Sequence, residues 1–140
     1  MDKDKWLTGM HSHAGQEMAI RLQRVSEASD TKNRYKNLLV VTQHLPLVSS
    51  SGLPEADYND RLLEFDCQLI SEIEKGGIVV LVETYAGKRI YYAYVADEAA
   101  SKDRVSQVLA DYGNSAVSDF RGGIDSEWRF YSRYLATLSL

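Results

Sequence analysis

The sequence contains a single cysteine, Cys67, and no long apolar run among its 140 residues. One thiol cannot form a disulfide within the chain, which fits a reducing compartment. The longest aliphatic run, Ile78 to Val82, is far shorter than the roughly 20 residues that a membrane span needs. The polar start of the chain lacks the apolar segment of a signal peptide. We therefore expect a cytoplasmic protein that does not associate with membranes.

Motifs of catalysis and cofactor binding are also missing. There is no G-x-S-x-G nucleophile turn, no G-x-x-x-x-G-K-[ST] phosphate loop and no G-x-G-x-x-G dinucleotide motif. His11 and His13 could share a metal, but a site needs three or four ligands. The spacing of His44 and Cys67 does not bring them to that pair. We expect no catalytic residue, no metal site and no cofactor.

An excess of basic charge is absent as well: 16 basic and 20 acidic residues give a net charge of −4. Such a chain is not attracted to phosphate backbones or anionic membranes, so direct binding of nucleic acid is not expected. The charge suits solubility, or association with a basic partner. Otherwise the composition is that of an ordinary globular protein, with 44% apolar and 26% charged residues. We predict a single domain over residues 1–140.

Alternating and β-branched apolar residues predict the strands. They cover residues 18–22, 37–45, 78–85, 89–96 and 115–120, with a further short strand at Trp6 and Leu7 pairing with the first. Polar residues 26–33 are expected to form a loop, and Arg121-Gly122-Gly123 a turn.

Apolar residues at three- and four-residue steps predict three helices. The first begins near Pro54 and carries the stripe Tyr58, Leu62, Phe65, Leu69, Ile70 and Ile73. The second carries Val105, Val108, Leu109 and Tyr112. The third is short, is capped by Asp125, and aligns Trp128, Tyr131, Leu135 and Leu138 on one face.

Between the two ends of the chain, the predicted order is strand, helix, strand, strand, helix, strand. This is the ferredoxin-like βαββαβ pattern of an α+β protein, an antiparallel sheet with helices on one face. We expect an N-terminal strand or hairpin to extend the sheet and the short C-terminal helix to cap it.

The first long helix carries acidic residues beside its apolar stripe, among them Asp57, Asp60 and Glu64. One interpretation is a solvated helix face. The alternative is an acidic surface for a basic protein, such as the nucleic-acid groove of a nuclease. Cys67 is expected to be a partly buried structural thiol, because Glu64 and Asp66 are poor neighbours for a thiolate.

Aromatic residues concentrate in the last helix. Trp128 and Tyr131 share the face that should dock on the protein body. Phe130 and Tyr134 are displaced around the helix, beside Arg133. Exposed aromatic and arginine side chains dominate protein interfaces, so Phe130, Arg133 and Tyr134 are candidate partner-binding residues. The alternative is that this helix serves only to complete the core.

Tyr92 and Tyr94 share one face of a predicted strand, and Tyr91 points the other way. On a ferredoxin-like sheet, such tyrosines could stack RNA bases. However, the RNA-recognition pattern has no match in Lys88–Val95, because both of its glycine positions differ. Packing between neighbouring strands is the simpler interpretation.

Several short segments resemble a bacterial domain-of-unknown-function family, number six-nine-five. They are Leu38–Val41, Ser51-Gly52-Leu53-Pro54, Ile90–Val95 and Asp125–Tyr131. The closing Asp125-x-x-Trp128 with Tyr131 is also similar to the end of small proteins that regulate ribonuclease E. Some small proteins of this kind serve as immunity proteins beside bacterial toxins. The resemblance implies an α/β domain that acts by binding another protein, and it supplies no catalytic residues.

We therefore favour a non-enzymatic inhibitor or regulator, most concretely an immunity protein that neutralises a bacterial toxin, with a nuclease as one candidate. Its partner would be a protein, and self-association is open. A second hypothesis is a regulator of RNA metabolism that binds a ribonuclease or RNA. A third is a small enzyme with a site that no motif reveals.

Overall fold

The structure is a computed structural model, and it describes residues 6–26, 30–45, 56–111 and 117–138. Its strands are β1 (Trp6–His13), β2 (Gln16–Gln23), β3 (Asn37–His44), β4 (Gly77–Tyr85), β5 (Lys88–Val95) and β6 (Val117–Ile124). Its helices are α1 (Thr31–Arg34), α2 (Ala56–Ile73), α3 (Glu98–Asp111) and α4 (Arg129–Thr137). The one-turn helix α1 lies where a loop was expected. No described helix has both the length and the apolar character needed to span a membrane.

The six strands form one antiparallel sheet in the order β1-β2-β4-β5-β3-β6. The prediction of a mixed α+β fold with an antiparallel sheet is confirmed. The order of the whole sheet differs from that of a four-stranded ferredoxin-like sheet. The difference arises because β1 and β2 form a long hairpin that joins the sheet through β4.

Two tight hairpins connect neighbouring strands through similar turns. Ala14-Gly15 joins β1 to β2, and Ala86-Gly87 joins β4 to β5. All four residues have positive φ angles, 52° and 81° in the first turn and 50° and 75° in the second. Two consecutive positive φ angles match the twist of paired strands, and glycine adopts them without a steric cost.

The expected turn at Arg121-Gly122-Gly123 is wrong, because these residues continue β6. Arg121, Gly122 and Gly123 pair with Val40, Leu39 and Leu38 of β3. The backbone hydrogen bonds between β6 and its neighbour β3 outweigh the preference of the two glycines for a turn. The absence of a side chain at Gly122 also leaves room for the carboxylate of Glu98 against the strand.

Side chains of the sheet alternate between two faces that are covered differently. On one face, Leu39 and Val41 pack with α2 and α3. The expected stripe of α2 is confirmed for Phe65, Leu69, Ile70 and Ile73, which are all buried. The side chains of Tyr58 and Leu62, and the whole of Pro54 and Tyr112, lie outside the described residues.

On the opposite face, α4 packs over β2, β4 and β5. Trp128 and Tyr131 are buried there with Ile20, Leu22 and Tyr94. The two helices of the predicted pattern, α2 and α3, share one face as expected, and the C-terminal helix α4 covers the other face. The reason is that the chain leaves β6 on the sheet edge and returns across the face that α2 and α3 do not cover.

Candidate functional site

Helix α4 is fixed to the sheet at its first turn by the carboxylate of Asp125. This carboxylate accepts hydrogen bonds from the backbone N–H groups of Arg129 (2.9 Å) and Phe130 (3.1 Å). It also accepts a hydrogen bond of 2.7 Å from the hydroxyl of Tyr94. Burial alone would raise the pKa of Asp125, but these hydrogen bonds to the ionised form outweigh it, so the pKa is lowered. The predicted capping role of Asp125 is confirmed.

Trp128 is the deepest anchor of α4. Its side chain is 0% exposed, and its ring stacks on Tyr94 with centroids 4.1 Å apart. The indole N–H donates to the carbonyl of Tyr35 at 2.7 Å. The backbone of Trp128 is left-handed, with φ 54° and ψ 44°, a costly conformation for a bulky residue. The burial and the hydrogen bond of the side chain offset that cost.

Tyr131 fastens the same helix to β2. Its hydroxyl donates to the carbonyl of Gln23 at 2.9 Å and accepts from the backbone N–H of Val25 at 3.0 Å. Its ring meets Trp128 edge-on, with centroids 5.6 Å apart. We call Tyr94, Asp125, Trp128 and Tyr131 the aromatic latch, because together they set the position of α4 over the sheet.

A second set of aromatic contacts fixes the middle of α4. Phe130 stacks on Tyr92 with centroids 4.6 Å apart. The hydroxyls of Tyr92 and Tyr134 both donate to the carboxylate of Glu83, at 2.7 and 2.8 Å. Burial raises the pKa of both tyrosines, and the Glu83 carboxylate raises it further. Both hydroxyls therefore stay protonated and act as donors.

Because α4 covers only part of its face, it leaves a groove of about 630 Å³ along β3 and β6. This volume is within the roughly 300–1,000 Å³ of typical ligand sites. We call it the α4 groove. Its lining consists of Leu38, Val40, Arg121, Gly122, Gly123, Ile124, Asp125, Arg129, Phe130, Arg133, Tyr134 and Thr137.

The α4 groove combines apolar surface with positive charge. Leu38, Val40 and Phe130 supply apolar surface, and Ile124 is 82% exposed. Arg121, Arg129 and Arg133 are exposed members of the lining. Arg121 lies on β6 and the other two on α4, and arginine suits paired hydrogen bonds to carboxylates.

The polar side chains of this lining are three arginines, Asp125, Tyr134 and Thr137. The described lining residues include no serine, cysteine, histidine, lysine or glutamate. Their only carboxylate, Asp125, is committed to the cap of α4 and to Tyr94. The hydroxyl of Thr137 donates to the carbonyl of Arg133. The groove therefore presents arginine side chains beside apolar surface.

The sheet face under α2 contains a buried ionic cluster. Asp66 is 2% exposed and accepts two hydrogen bonds from the guanidinium of Arg21, at 2.8 and 2.6 Å. It also accepts one of 2.7 Å from the hydroxyl of Tyr91, and Arg89 lies 3.6 Å away. Burial opposes the charge of Asp66, but Arg21 and Tyr91 outweigh it and lower the pKa of the carboxyl. Arg21, Tyr91 and Arg89 all converge on the Asp66 carboxylate, so the cluster is an internal structural network.

The candidate partner-binding residues fall into two separate groups. Phe130, Arg133 and Tyr134 come together in the α4 groove. Glu64 is exposed on α2, across the sheet from that groove. The side chains of Asp57 and Asp60 lie outside the described residues, although both positions belong to α2.

Two other sequence-based expectations are settled by burial. Cys67 is exposed, so the expectation of a partly buried thiol is wrong. The neighbouring residue Asp66 is buried instead. Tyr92 and Tyr94 do share a sheet face, opposite Tyr91, but Phe130 and Trp128 stack against them. Their rings are therefore engaged within the protein and do not form an open stacking surface.

Histidines and acidic residues do not converge on a metal site within the described residues. His11 is exposed on β1, and His44 is exposed at the end of β3. The side chain of His13 is outside the described part. No group of three or more histidine, cysteine, aspartate or glutamate side chains among the described residues could hold an ion.

Sequence reasoning missed the sheet side of the groove and the ionic cluster. Arg121 was assigned to a turn, and Leu38 and Val40 were treated only as strand residues. The burial of Asp66 could have been predicted from the sequence, because Asp66 lies one helical turn before Ile70, on the apolar stripe. Its partner Arg21 is 45 residues away, so no local pattern could have paired them.

Residues 4–136 match the model of a family of unknown function, DUF695. No curated protein and no solved structure matches the chain. The chain belongs to the DUF695 family, which confirms the resemblance, whereas the similarity to regulators of ribonuclease E stays a prediction.

Proposed function

We propose that this DUF695 protein is a non-enzymatic inhibitor or regulator that binds another protein through the α4 groove. The most concrete form of the proposal is a cytoplasmic immunity protein that neutralises a bacterial toxin. One observation supports it. An open groove with an apolar floor and three arginines lies beside α4, and hydrogen bonds of Asp125 and Trp128 hold this helix against the sheet. Rigid aromatic and arginine groups around apolar surface are the residue types that dominate interface energetics.

The charge of the groove indicates the chemistry of the bound segment. Arg121, Arg129 and Arg133 favour a partner segment with carboxylates beside apolar side chains. The earlier expectation of a basic partner rested on α2. In the described part of α2, Asp66 is buried, Glu72 pairs with Lys75, and Glu64 is exposed. The α4 groove is therefore the stronger surface, and a basic toxin or nuclease would need an acidic segment to use it.

Site-specific photo-crosslinking in the native host tests this proposal. A photoreactive amino acid at Thr137 faces the groove, and one at Arg24, just after β2, serves as the control. We expect a protein adduct from Thr137 that is missing from Arg24. Equal labelling from both positions, or none from Thr137, would contradict a role for the groove.

The captured partner is then purified and its affinity is measured. Arg133→Glu should weaken binding about tenfold or more, because it reverses a charge facing the carboxylates of the partner. Arg24→Glu makes the same charge change on an exposed arginine outside the groove lining and should leave affinity unchanged. For an immunity protein, the partner alone should arrest growth, and only chains that bind it should restore growth.

A regulator of RNA metabolism is the second candidate, and the three groove arginines are the observation that favours it. In that case the crosslinked partner is a ribonuclease, or the protein retains RNA at low salt. Retention of RNA should fall steeply with added salt if phosphates are neutralised. Arg133→Glu should abolish it, and an RNA-free wild-type protein at low salt would eliminate the direct RNA version.

We also propose a finer description of the fold. The inner strands β4-β5-β3-β6, with α2 connecting β3 to β4 and α3 connecting β5 to β6, would form a ferredoxin-like unit. The strand order within this part, and the placement of both helices on one face, support it. The β1–β2 hairpin and α4 are then additions to that unit. An experimental structure with a different order for these four strands would contradict it.

A further inference from the structure

β1 forms one edge of the sheet, and it is regular along its whole length. It pairs with β2 from Trp6 to His13 without a register shift. Among the described residues no strand lies on its other side. Every described side chain from Leu7 to Ser12 is exposed. An edge of this kind offers a row of backbone N–H and C=O groups to another strand.

Proteins usually protect such an edge with charges, proline or a bulge. β1 has none of these: its sequence, WLTGMHSH, contains no lysine, arginine, aspartate, glutamate or proline. The opposite edge, β6, is protected. Its sequence contains Asp119 and Arg121, and its pairing with β3 has a register shift beside Thr42. β6 therefore carries features that hinder pairing with another strand, whereas β1 carries none of them.

We propose that β1 is the interface between two copies of this chain, which pair antiparallel through their β1 strands. An antiparallel pair of identical strands is self-complementary, so a two-fold axis gives both copies the same hydrogen bonds. This axis is perpendicular to the sheet, which keeps α2 and α3 of both copies on one side. The symmetry requires a register centred on a residue, and Gly9 and Met10 are the central residues of β1.

An uncharged edge that can pair with itself favours a second copy as the occupant. Each chain carries a net charge of −4, so two copies repel each other over most of their surface. The uncharged β1 strand is a place where they can meet without that repulsion. Pairing would also cover apolar side chains on both faces of the strand, since Leu7 is 37% and Met10 is 56% exposed. The α4 groove lies along β3 and β6, at the far edge, and stays open in such a dimer.

The mass of the full chain in solution tests this proposal. Sedimentation equilibrium from micromolar to submillimolar concentration should show a dimer of twice the 15.8 kDa chain mass. Met10→Lys places two like charges at the centre of the interface and should raise the dissociation constant about tenfold or more. Ile124→Lys adds the same charge to an exposed residue of β6 and should leave the dimer intact.

Crosslinking gives a second readout that does not depend on affinity. In a Cys67→Ser background, Met10→Cys should form a disulfide-linked dimer under mild oxidation, whereas Ile124→Cys should not. Both positions are exposed, so thermal unfolding should match the wild type. A wild-type chain that stays monomeric throughout, or a dimer lost in Ile124→Lys but kept in Met10→Lys, would overturn the proposal.

Discussion

The two faces of the sheet are covered to different extents and with different side chains. The face under α2 and α3 is filled with aliphatic residues such as Leu39, Leu69 and Val105, and it contains the ionic cluster around Asp66. The face under α4 is filled with aromatic residues and is only partly covered, which leaves the α4 groove. The comparison shows that two helices close one face of the sheet, whereas the single helix α4 leaves part of the other face open to solvent.

The difference in side chains has a physical reason. Two helices can close a face with interdigitating aliphatic groups, because they supply many contacts from both sides. The single nine-residue helix α4 has fewer positions with which to hold itself in place. It uses large aromatic rings whose hydroxyl and indole groups also form hydrogen bonds, as Trp128 and Tyr131 do.

The largest effect is expected from removing the main anchor of the half-covered face. Trp128→Ala should lower the free energy of unfolding by about 4 kcal/mol, because it leaves a cavity and breaks the stack on Tyr94. Trp128→Phe keeps a ring in place and loses the hydrogen bond to Tyr35, at a cost of about 1 kcal/mol. Urea denaturation measures both. A loss below about 1 kcal/mol for the alanine variant would mean that α4 is not part of the cooperative core.

On the closed face, Asp66→Asn should lower the free energy of unfolding by about 3 kcal/mol, because the guanidinium groups of Arg21 and Arg89 lose the buried charge that they face. The free energy of unfolding is measured for this variant and the wild type. Glu72→Gln removes an exposed ion pair with Lys75 and is the matched control, with a change of about 0.5 kcal/mol or less. Equal effects of the two substitutions would remove the distinction between buried and surface pairs.

The same variant has a defined dependence on pH. The pKa of Asp66 is lowered in the folded protein, so its contribution is fully present above the unfolded value of about 3.9. This contribution to stability is lost as the pH falls from about 3.9 through the lower pKa of Asp66 in the folded protein. The gap in stability between wild type and Asp66→Asn should therefore be constant near neutral pH and should shrink below about pH 4. Urea denaturation across this range measures it, and a gap that widens in acid would contradict the assignment.

The smallest of these effects concerns the end of α4. Asp125→Ala removes the cap of the helix and the acceptor for Tyr94, and it should cost about 1–2 kcal/mol. Glu127→Ala, at an exposed neighbouring position, should change the free energy of unfolding by about 0.5 kcal/mol or less. Thermal unfolding of both variants makes the comparison. If Asp125→Ala behaves like the control, the carboxylate does not set the position of α4.

Several elements were predictable because local patterns and tertiary structure agree there. The apolar stripe from Phe65 to Ile73 predicts a helix, and the structure has α2 at that place. The alternation around Tyr91 and Tyr92 correctly assigns their two faces. The segment 121–123 was mispredicted because its glycines favour a turn in isolation, and only β3 draws them into a strand.

The candidate site was predictable only in part. The helical spacing of Phe130, Arg133 and Tyr134 displaces them from the docking face, and that displacement indicated an interface. Their counterparts across the groove, Leu38 and Arg121, come from distant strands, so no spacing in the sequence connects them to α4.

The sequence by itself determined which residues become helix and strand in most of the chain, and which helix faces are apolar. These properties depend on neighbours within about one helical turn or a strand pair. Only the tertiary structure decided which sheet face α4 covers, that Arg21 meets Asp66, and that an open groove remains beside β6. These outcomes depend on contacts between residues far apart in the chain, because burial and hydrogen bonding are settled only when the elements pack together.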